Sequence, residues 1–329
     1  MVRTGAYAYV KYGYEGTFAG SATVDKSFGV KTAVTSLSIG TNRQSLYKLG
    51  QVEADKYAYG QQTGSLSLDF VLGDVTSGDV FKAIYGAPTG SGTGASNHVY
   101  GSDTGSGSSK TFVGQTFTTE LGFSGEDDIM VRSFKGCILN TLGITASVGD
   151  VVKCTGDVVY GKEGNPSTST STAATEASQP FTFAHGALTL NGVVQTQIQE
   201  ADISFAQNGD LLYQLGSNQA VAGIKKTLDI TGRFKVAWKD NTALETVIAQ
   251  LAGADYKETW ADKNGASTPE IELHFTNGVV GNGERKITII GKGLGLTDHS
   301  VSGLEPIEAV FEELNLSIKS AKIVVVNSE

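Results

Sequence analysis

Apolar residues in this chain alternate with polar ones far more often than they recur at helical spacing. Val34 to Ile39 puts Thr35, Leu37 and Ile39 on one face and Val34, Ser36 and Ser38 on the other. Ser65 to Phe70 turns Leu66, Leu68 and Phe70 to one side. A period of two marks a strand with one face buried. Similar text recurs at Gln115–Phe123, Gly136–Ala146 and Val151–Tyr160, the last two joined by a turn at Ser147–Asp150. It returns at Leu228–Val236, Ile271–Phe275, Lys286–Ile290 and Ile307–Val326. Glu305–Leu314 has helical propensity, but Ile307, Ala309 and Phe311 alternate, which favours strand. Gly232, inside a strand, predicts a bulge or a close backbone approach. Helical spacing appears twice. Ser77–Tyr85 sets Val80, Phe81 and Ile84 on one stripe and stops at Gly86. Leu244, Val247, Ile248 and Leu251 form a second stripe, capped by Asp240 or Asn241 and stopped by Gly253.

The pattern is stated twice. Val34–Ile39 lies against Glu200–Phe205, Tyr47–Gly50 against Tyr213–Gly216, Thr63–Gly64 against Thr231–Gly232, and Ile84–Gly86 against Gln250–Gly253. The offset stays at about 167 residues, a domain-sized period. Two domains are also what a chain of 329 residues suggests. The expected division is an arm at 1–28, a first domain at 29–163, a linker at 164–180 and a second domain at 181–329. The linker text is polar and holds no aromatic residue before Phe181. In the arm, Tyr7, Tyr9, Tyr12 and Tyr14 have the spacing of an edge strand. Such a strand needs a cover, and a neighbouring subunit is one candidate. The polar segment from Gly40 to Gln62, with Tyr47, Tyr57 and Tyr59, has its counterpart in Gln207–Gly223. A loop of that length present in both halves points to function. Thr89–Lys110, rich in Gly, Ser and Thr, reads as a surface loop.

Composition agrees with strands and turns: 42 glycines and a charged fraction of 18% are unlike a helical protein. The net charge of −9 argues against tight nucleic-acid binding, which needs a basic face. Cys137 and Cys154 are too few for a disulfide scaffold and read as reduced core residues. The first residues lack the apolar stretch of a secretory signal, and no run is long enough for a membrane helix.

Candidate chemistry is sparse. His98, His185, His274 and His299 are isolated and show no zinc-ligand spacing. Gly291–Leu296 resembles a phosphate loop only faintly and fits no nucleotide motif. Glu126-Asp127-Asp128 lacks calcium-loop spacing, and no hydrolase elbow occurs. No catalytic, cofactor or metal residue is therefore expected. The chain reads as a non-enzyme that works through surfaces.

The order of motifs resembles the phage tail tube protein family. The carriers are Phe181–Phe183, Ala187–Gly192, Ile203–Phe205, Leu212–Gly216 and Thr231–Phe234 in the second half. In the first they are Phe134–Cys137, Asn140–Ala146 and Val158–Lys162, with Glu15–Ala19 in the arm. The resemblance implies a mainly β protein: two tandem copies of a β-sandwich or barrel, each with one short helix. It also implies rings stacked into a hollow tube through which double-stranded DNA passes, in a virion tail assembled in the host cytoplasm. Three chains with two copies each would fill six quasi-equivalent positions, which predicts a trimer. Closing the sheet between subunits would remove exposed strand edges. Expected partners are other copies of the chain, tape measure, tail terminator and baseplate proteins, and a sheath protein in a contractile tail. An acidic bore would let DNA slide; an acidic soluble protein with no bias toward the bore is the alternative. Tyr47, Tyr57, Tyr59, Tyr213, Tyr7 and Tyr9 are candidate contacts between subunits or rings, with packing on their own domain as the competing reading. A β-sandwich that binds carbohydrate or decorates a virion is the rival function.

Overall fold

The structure is a computed structural model and describes residues 8–49, 52–75, 77–88, 96–101, 115–124, 129–164, 167–169, 179–190, 192–237, 270–279, 283–303 and 310–327. The first half contributes β1 (Ala8–Tyr14), β2 (Thr32–Leu46), β3 (Lys56–Val71), α1 (Ser77–Tyr85), β4 (Ser96–Gly101), β5 (Phe117–Ser124), β6 (Ile129–Ser147), β7 (Lys153–Tyr160), β8 (Lys162–Glu163) and β9 (Ser167–Ser169). The second contributes β10 (Gly186–Leu190), β11 (Val193–Gln195), β12 (Ile198–Ala206), β13 (Asp210–Tyr213), β14 (Ala220–Ile224), β15 (Asp229–Ala237), β16 (Glu270–Thr276), β17 (Lys286–Ser302) and β18 (Phe311–Asn327). Sixteen strands form one antiparallel sheet whose main path runs β11-β10-β16-β17-β18-β15-β12-β6-β7-β3-β2, and β13–β14 stand apart as a hairpin. The two halves meet within this one sheet and do not stand as separate sandwiches. The second helix expected at 240–253 lies outside the described residues, as does most of the expected linker.

The ladder registers repeat. Leu37 of β2 faces Leu66 of β3, Leu66 faces Val158 of β7, and Val158 faces Leu139 of β6. In the second half Ile203 of β12 faces Gly232 of β15, Gly232 faces Leu316 of β18, and Leu316 faces Leu296 of β17. One irregularity coincides, between Leu139 and Thr141 in β6–β7 and between Leu296 and Asp298 in β17–β18, whereas those of β2–β3, β12–β15 and β5–β6 differ. The agreement extends outward. Phe134–Thr119–Tyr12 across β6, β5 and β1 matches Gly291–Ile271–Leu190 across β17, β16 and β10. The seam between the halves is β6 against β12, where Ile144 faces Ile203 and Leu142 faces Phe205. A second tie crosses it, because β4 pairs with the far end of β18. Ser96–Gly101, read from sequence as part of a loop, is thus a strand. Its own text carries only Val99 and Tyr100 as β-formers, and the partner that holds it is more than 200 residues away.

One face of the sheet is the core. Leu66, Leu68, Phe70, Ile144, Ile203, Phe205, Phe234 and Leu316 are buried there, as the alternation required. Val34 and Leu37 both pack on it despite their odd spacing. A register shift between Val34 and Ser36 inserts Thr35 as an extra residue, which returns both side chains to the same face. Helix α1 closes this side. Its stripe of Val80, Phe81 and Ile84 is buried, with Phe81 beside Tyr100 and Phe205 at ring separations of 6.2 and 6.4 Å. Gly86 ends the helix at φ 81° and donates its N–H to Lys82 O. No bulge occurs at Gly232; the ring of Phe234 lies over it instead, 2.8 Å from where a Cβ would stand. Cys137 and Cys154 are free and buried, as expected.

Candidate assembly surfaces

Among the described residues, no element covers the opposite face of the central sheet. Ser65, Ser67 and Asp69 on β3 point there, as do Thr155 and Asp157 on β7 and Asp229, Thr231 and Arg233 on β15. Short polar side chains tie it together: Asp157 accepts from Ser67 Oγ at 2.7 Å and from Thr141 Oγ1 at 2.8 Å. Its prominent cation is neutralised locally. Arg233 donates from Nε to Asp202 at 2.8 Å and from Nη2 to Glu200 at 2.7 Å, and Glu313 lies 3.9 Å away. Hydrogen bonding to Asp202 holds the guanidinium still more firmly protonated. Lys153 pairs with Asp150. Hydroxyls and carboxylates make up most of the rest, together with Lys235, which lies over the Phe311 ring, and the exposed Lys319 on β18.

The segments expected to be long loops are hairpins. The β2–β3 ladder runs past the sheet to Leu46 opposite Lys56, with the guanidinium of Arg43 4.1 Å from the centre of the Tyr57 ring. Tyrosines and alternating β-formers extend the strands into what polarity alone marked as loop. The counterpart is the β13–β14 hairpin. The two come together: Tyr213 Oη donates to Gln62 O at 2.7 Å, and Gln62 N–H donates to Asn218 O at 2.7 Å. Near the tips, Leu49 and Leu215 stand wholly in solvent, one three positions before Val52 and the other two after Tyr213. Tyr47 and Tyr57 are exposed, whereas Tyr213 is half buried by its bond to β3. The backbone of Tyr59 pairs with Arg43. Tyr9 is buried within its own chain, where β1 pairs with β5 and Tyr9 Oη donates to Glu120 Oε1 at 2.7 Å. Tyr7 lies outside the described residues.

Sequence reading missed what anchors the arm. Glu15 is buried, and its carboxylate accepts from Ala19 N–H at 2.9 Å, Thr118 Oγ1 at 2.7 Å and Gly136 N–H at 2.8 Å. Phe18 lies over Gly136 and Gly161, whose missing Cβ atoms would stand 2.6 and 2.7 Å from its ring. The signal was the conjunction of Glu15–Ala19 with Phe134–Cys137. Their pairing is invisible without the fold.

Nothing here converges for chemistry. Among the described residues no three His, Cys, Asp or Glu side chains gather to hold a metal ion. A cavity of about 290 Å³ under β10 and β11 is lined by apolar residues such as Phe183, Leu188 and Leu273 and has no titratable side chain. His299 Nε2 lies 2.7 Å from Glu312 Oε1, a lone pair on the core side. A family model described as phage tail tube protein matches residues 7–315.

The chain belongs to the phage tail tube protein family.

This family is structural and non-enzymatic, its members are phage tail components, and membership implies self-assembly into a tube. No individual curated protein matches the chain.

Proposed function

We propose that the chain is an internally duplicated tail tube protein, three copies of which close a pseudo-sixfold ring, and that stacked rings form the tube conducting double-stranded DNA. The repeated register carries this reading. β2-β3-β7-β6-β5-β1 and β12-β15-β18-β17-β16-β10 follow one another in the same order, and the bulge in β6–β7 has its counterpart in β17–β18, which supports one chain supplying two ring positions. The expected division into an arm, two copies and a linker changes at one point on this reading: β1, within the expected arm at 1–28, joins the first copy as the counterpart of β10.

The bare face lines the bore. In a closed ring the inner circumference is the smaller, so the side carrying α1 and the β1–β5 layer belongs outside. A face dominated by hydroxyls and carboxylates, its Arg233 and Lys153 held by acidic partners, offers phosphates few counterion-releasing contacts, so DNA slides past. Leu49 and Leu215, with Tyr47, Tyr57, Tyr59 and Tyr213 behind them, supply the contacts between stacked rings. Tape measure protein would occupy the bore during assembly, with terminator and baseplate proteins at the tube ends. Light scattering and negative-stain images of purified protein test the reading. Holed rings with a mass of three chains are expected; a monomer that never forms rings at high concentration contradicts it.

A further inference from the structure

The two ends of strand β12 are unlike. It starts at Ile198, beside the turn that follows β6, where Val148 N–H donates to Gln199 O. It ends at Ala206, where the chain passes to the β13–β14 hairpin, after roughly 26 Å of strand at about 3.3 Å per residue. At the hairpin end Leu215 stands at the corner of a tight turn. Ser217 N–H donates to Gln214 O at 3.1 Å, and Gly216 takes φ 89° between them. The bonds of Tyr213 Oη and Asn218 O to Gln62 hold both flanks of this turn, so the leucine is a fixed knob, wholly in solvent. At the other end lies the cavity of about 290 Å³, walled by Ala146, Leu188, Val194, Ile198, Leu273 and Phe275. Val194 is exposed, so among the described residues the cavity opens to solvent.

An exposed apolar side chain that fits a pocket elsewhere on the same molecule makes a head-to-tail contact, which does not close on itself and propagates as a filament. The volume is sufficient for an isobutyl group, since an apolar cavity of about 150 Å³ already takes up benzene. Charge selects which knob enters. No titratable side chain lines the cavity, and Gln214–Gln219 carries none either. The other tip holds Lys48, Glu53 and Asp55 around Leu49, and bringing those charges against apolar walls costs their hydration. We infer that Leu215 of one chain enters the cavity under β10 and β11 of a chain in the next ring. Gln195 and Thr196 of the lining then meet the uncharged polar residues that flank the leucine. Each ring presents knobs at one end and holes at the other, so this contact sets the polarity of the stack and the rotation from ring to ring.

This inference rests on the stacked-ring reading and is tested separately from it by disulfide trapping in assembled tubes. Leu215 and Val194 are exposed, and the two native cysteines are buried. Leu215→Cys with Val194→Cys, oxidised after tube assembly, is expected to give a ladder of linked chains that extends beyond a trimer and that reductant dissolves. Each single variant should stay monomeric on a denaturing gel. Leu49→Cys with Val194→Cys should link at least ten-fold less. Tubes that link best through residue 49 overturn the choice of knob, and tubes that link through neither pair overturn the cavity as its socket. Absence of tubes from the unaltered protein overturns the stacked-ring reading itself. Hydrogen exchange on unaltered protein gives a second measure: amides in 194–196 and 214–217 are expected to slow at least ten-fold when rings stack into tubes. Unchanged exchange in both segments contradicts the proposal.

Discussion

The ring of Tyr160 lies flat across Gly64 on the neighbouring strand, so near that a Cβ on residue 64 would stand 2.0 Å from Tyr160 Cζ. The same side chain stacks beside Phe134 at a ring separation of 4.7 Å and donates its hydroxyl to Ser38 O at 3.2 Å. One tyrosine on β7 thereby spans β3 and reaches β2, the strand at the sheet's edge. Gly64→Ala should displace it and destabilise the chain by about 1–3 kcal/mol, the range for overpacking a tight core. Tyr160→Phe removes only the bond to Ser38 and should lower stability by about 0.5–1.5 kcal/mol. Urea unfolding of the two variants checks both values and their order.

The exposed leucines at the hairpin tips make a sharper test of stacking. Leu49→Asp with Leu215→Asp touches no packed side chain, so the stability of the single ring should change by no more than about 0.5 kcal/mol. Tube length should collapse, leaving rings, in electron micrographs. Long tubes from this double variant would remove the tips from the stacking contact.

Charge on the bare face is tested by reversal. Asp69→Lys with Asp229→Lys puts two free cations per chain on a face where Arg233 and Lys153 are already paired. Tubes of the variant should retain short duplex DNA at low salt and lose it steeply as salt rises, whereas unaltered tubes retain none. Filter binding across a salt series reads the difference.

Lys225 carries a pH dependence. Its ammonium donates to Ala83 O at the end of α1 at 2.7 Å, and burial pulls its pKa from 10.5 down to about 7. Between those values the unfolded chain holds a proton that the folded chain has released. Stability should therefore rise with pH from about 7 toward about 10.5. Lys225→Met should flatten that rise, as read from urea midpoints at about pH 6.5 and pH 9.5.

The thiols should be silent in the folded state. Burial pushes the Cys137 thiol up to about 12 and Cys154 higher still, and both side chains are enclosed. A thiol reagent at neutral pH should label neither cysteine in native protein and both after denaturation. Rapid labelling of the native chain would mean that the β6–β7 core opens.

Alternation alone made the strands legible, and helix α1 matched its expected limits of Ser77 and Tyr85 because its stripe and its stop at Gly86 are both local. What escaped depended on partners far along the chain. The extra residue Thr35 is invisible in a period of two, yet it decides that Val34 and Leu37 share a face. Ser96–Gly101 has little strand character of its own and exists because β18 offers it an edge. Tyr47 and Tyr57 stand exposed, but the segment that carries them is a hairpin and not a loop. Tyr9, grouped with them by composition, is buried where β1 meets β5.

A helical reconstruction of assembled tubes tests the central claim most directly. The expected map shows closed rings of three chains, with Asp69, Asp157 and Asp202 facing the bore. Rings of any other chain number, or a bore lined by lysine and arginine with those carboxylates outside, would contradict it.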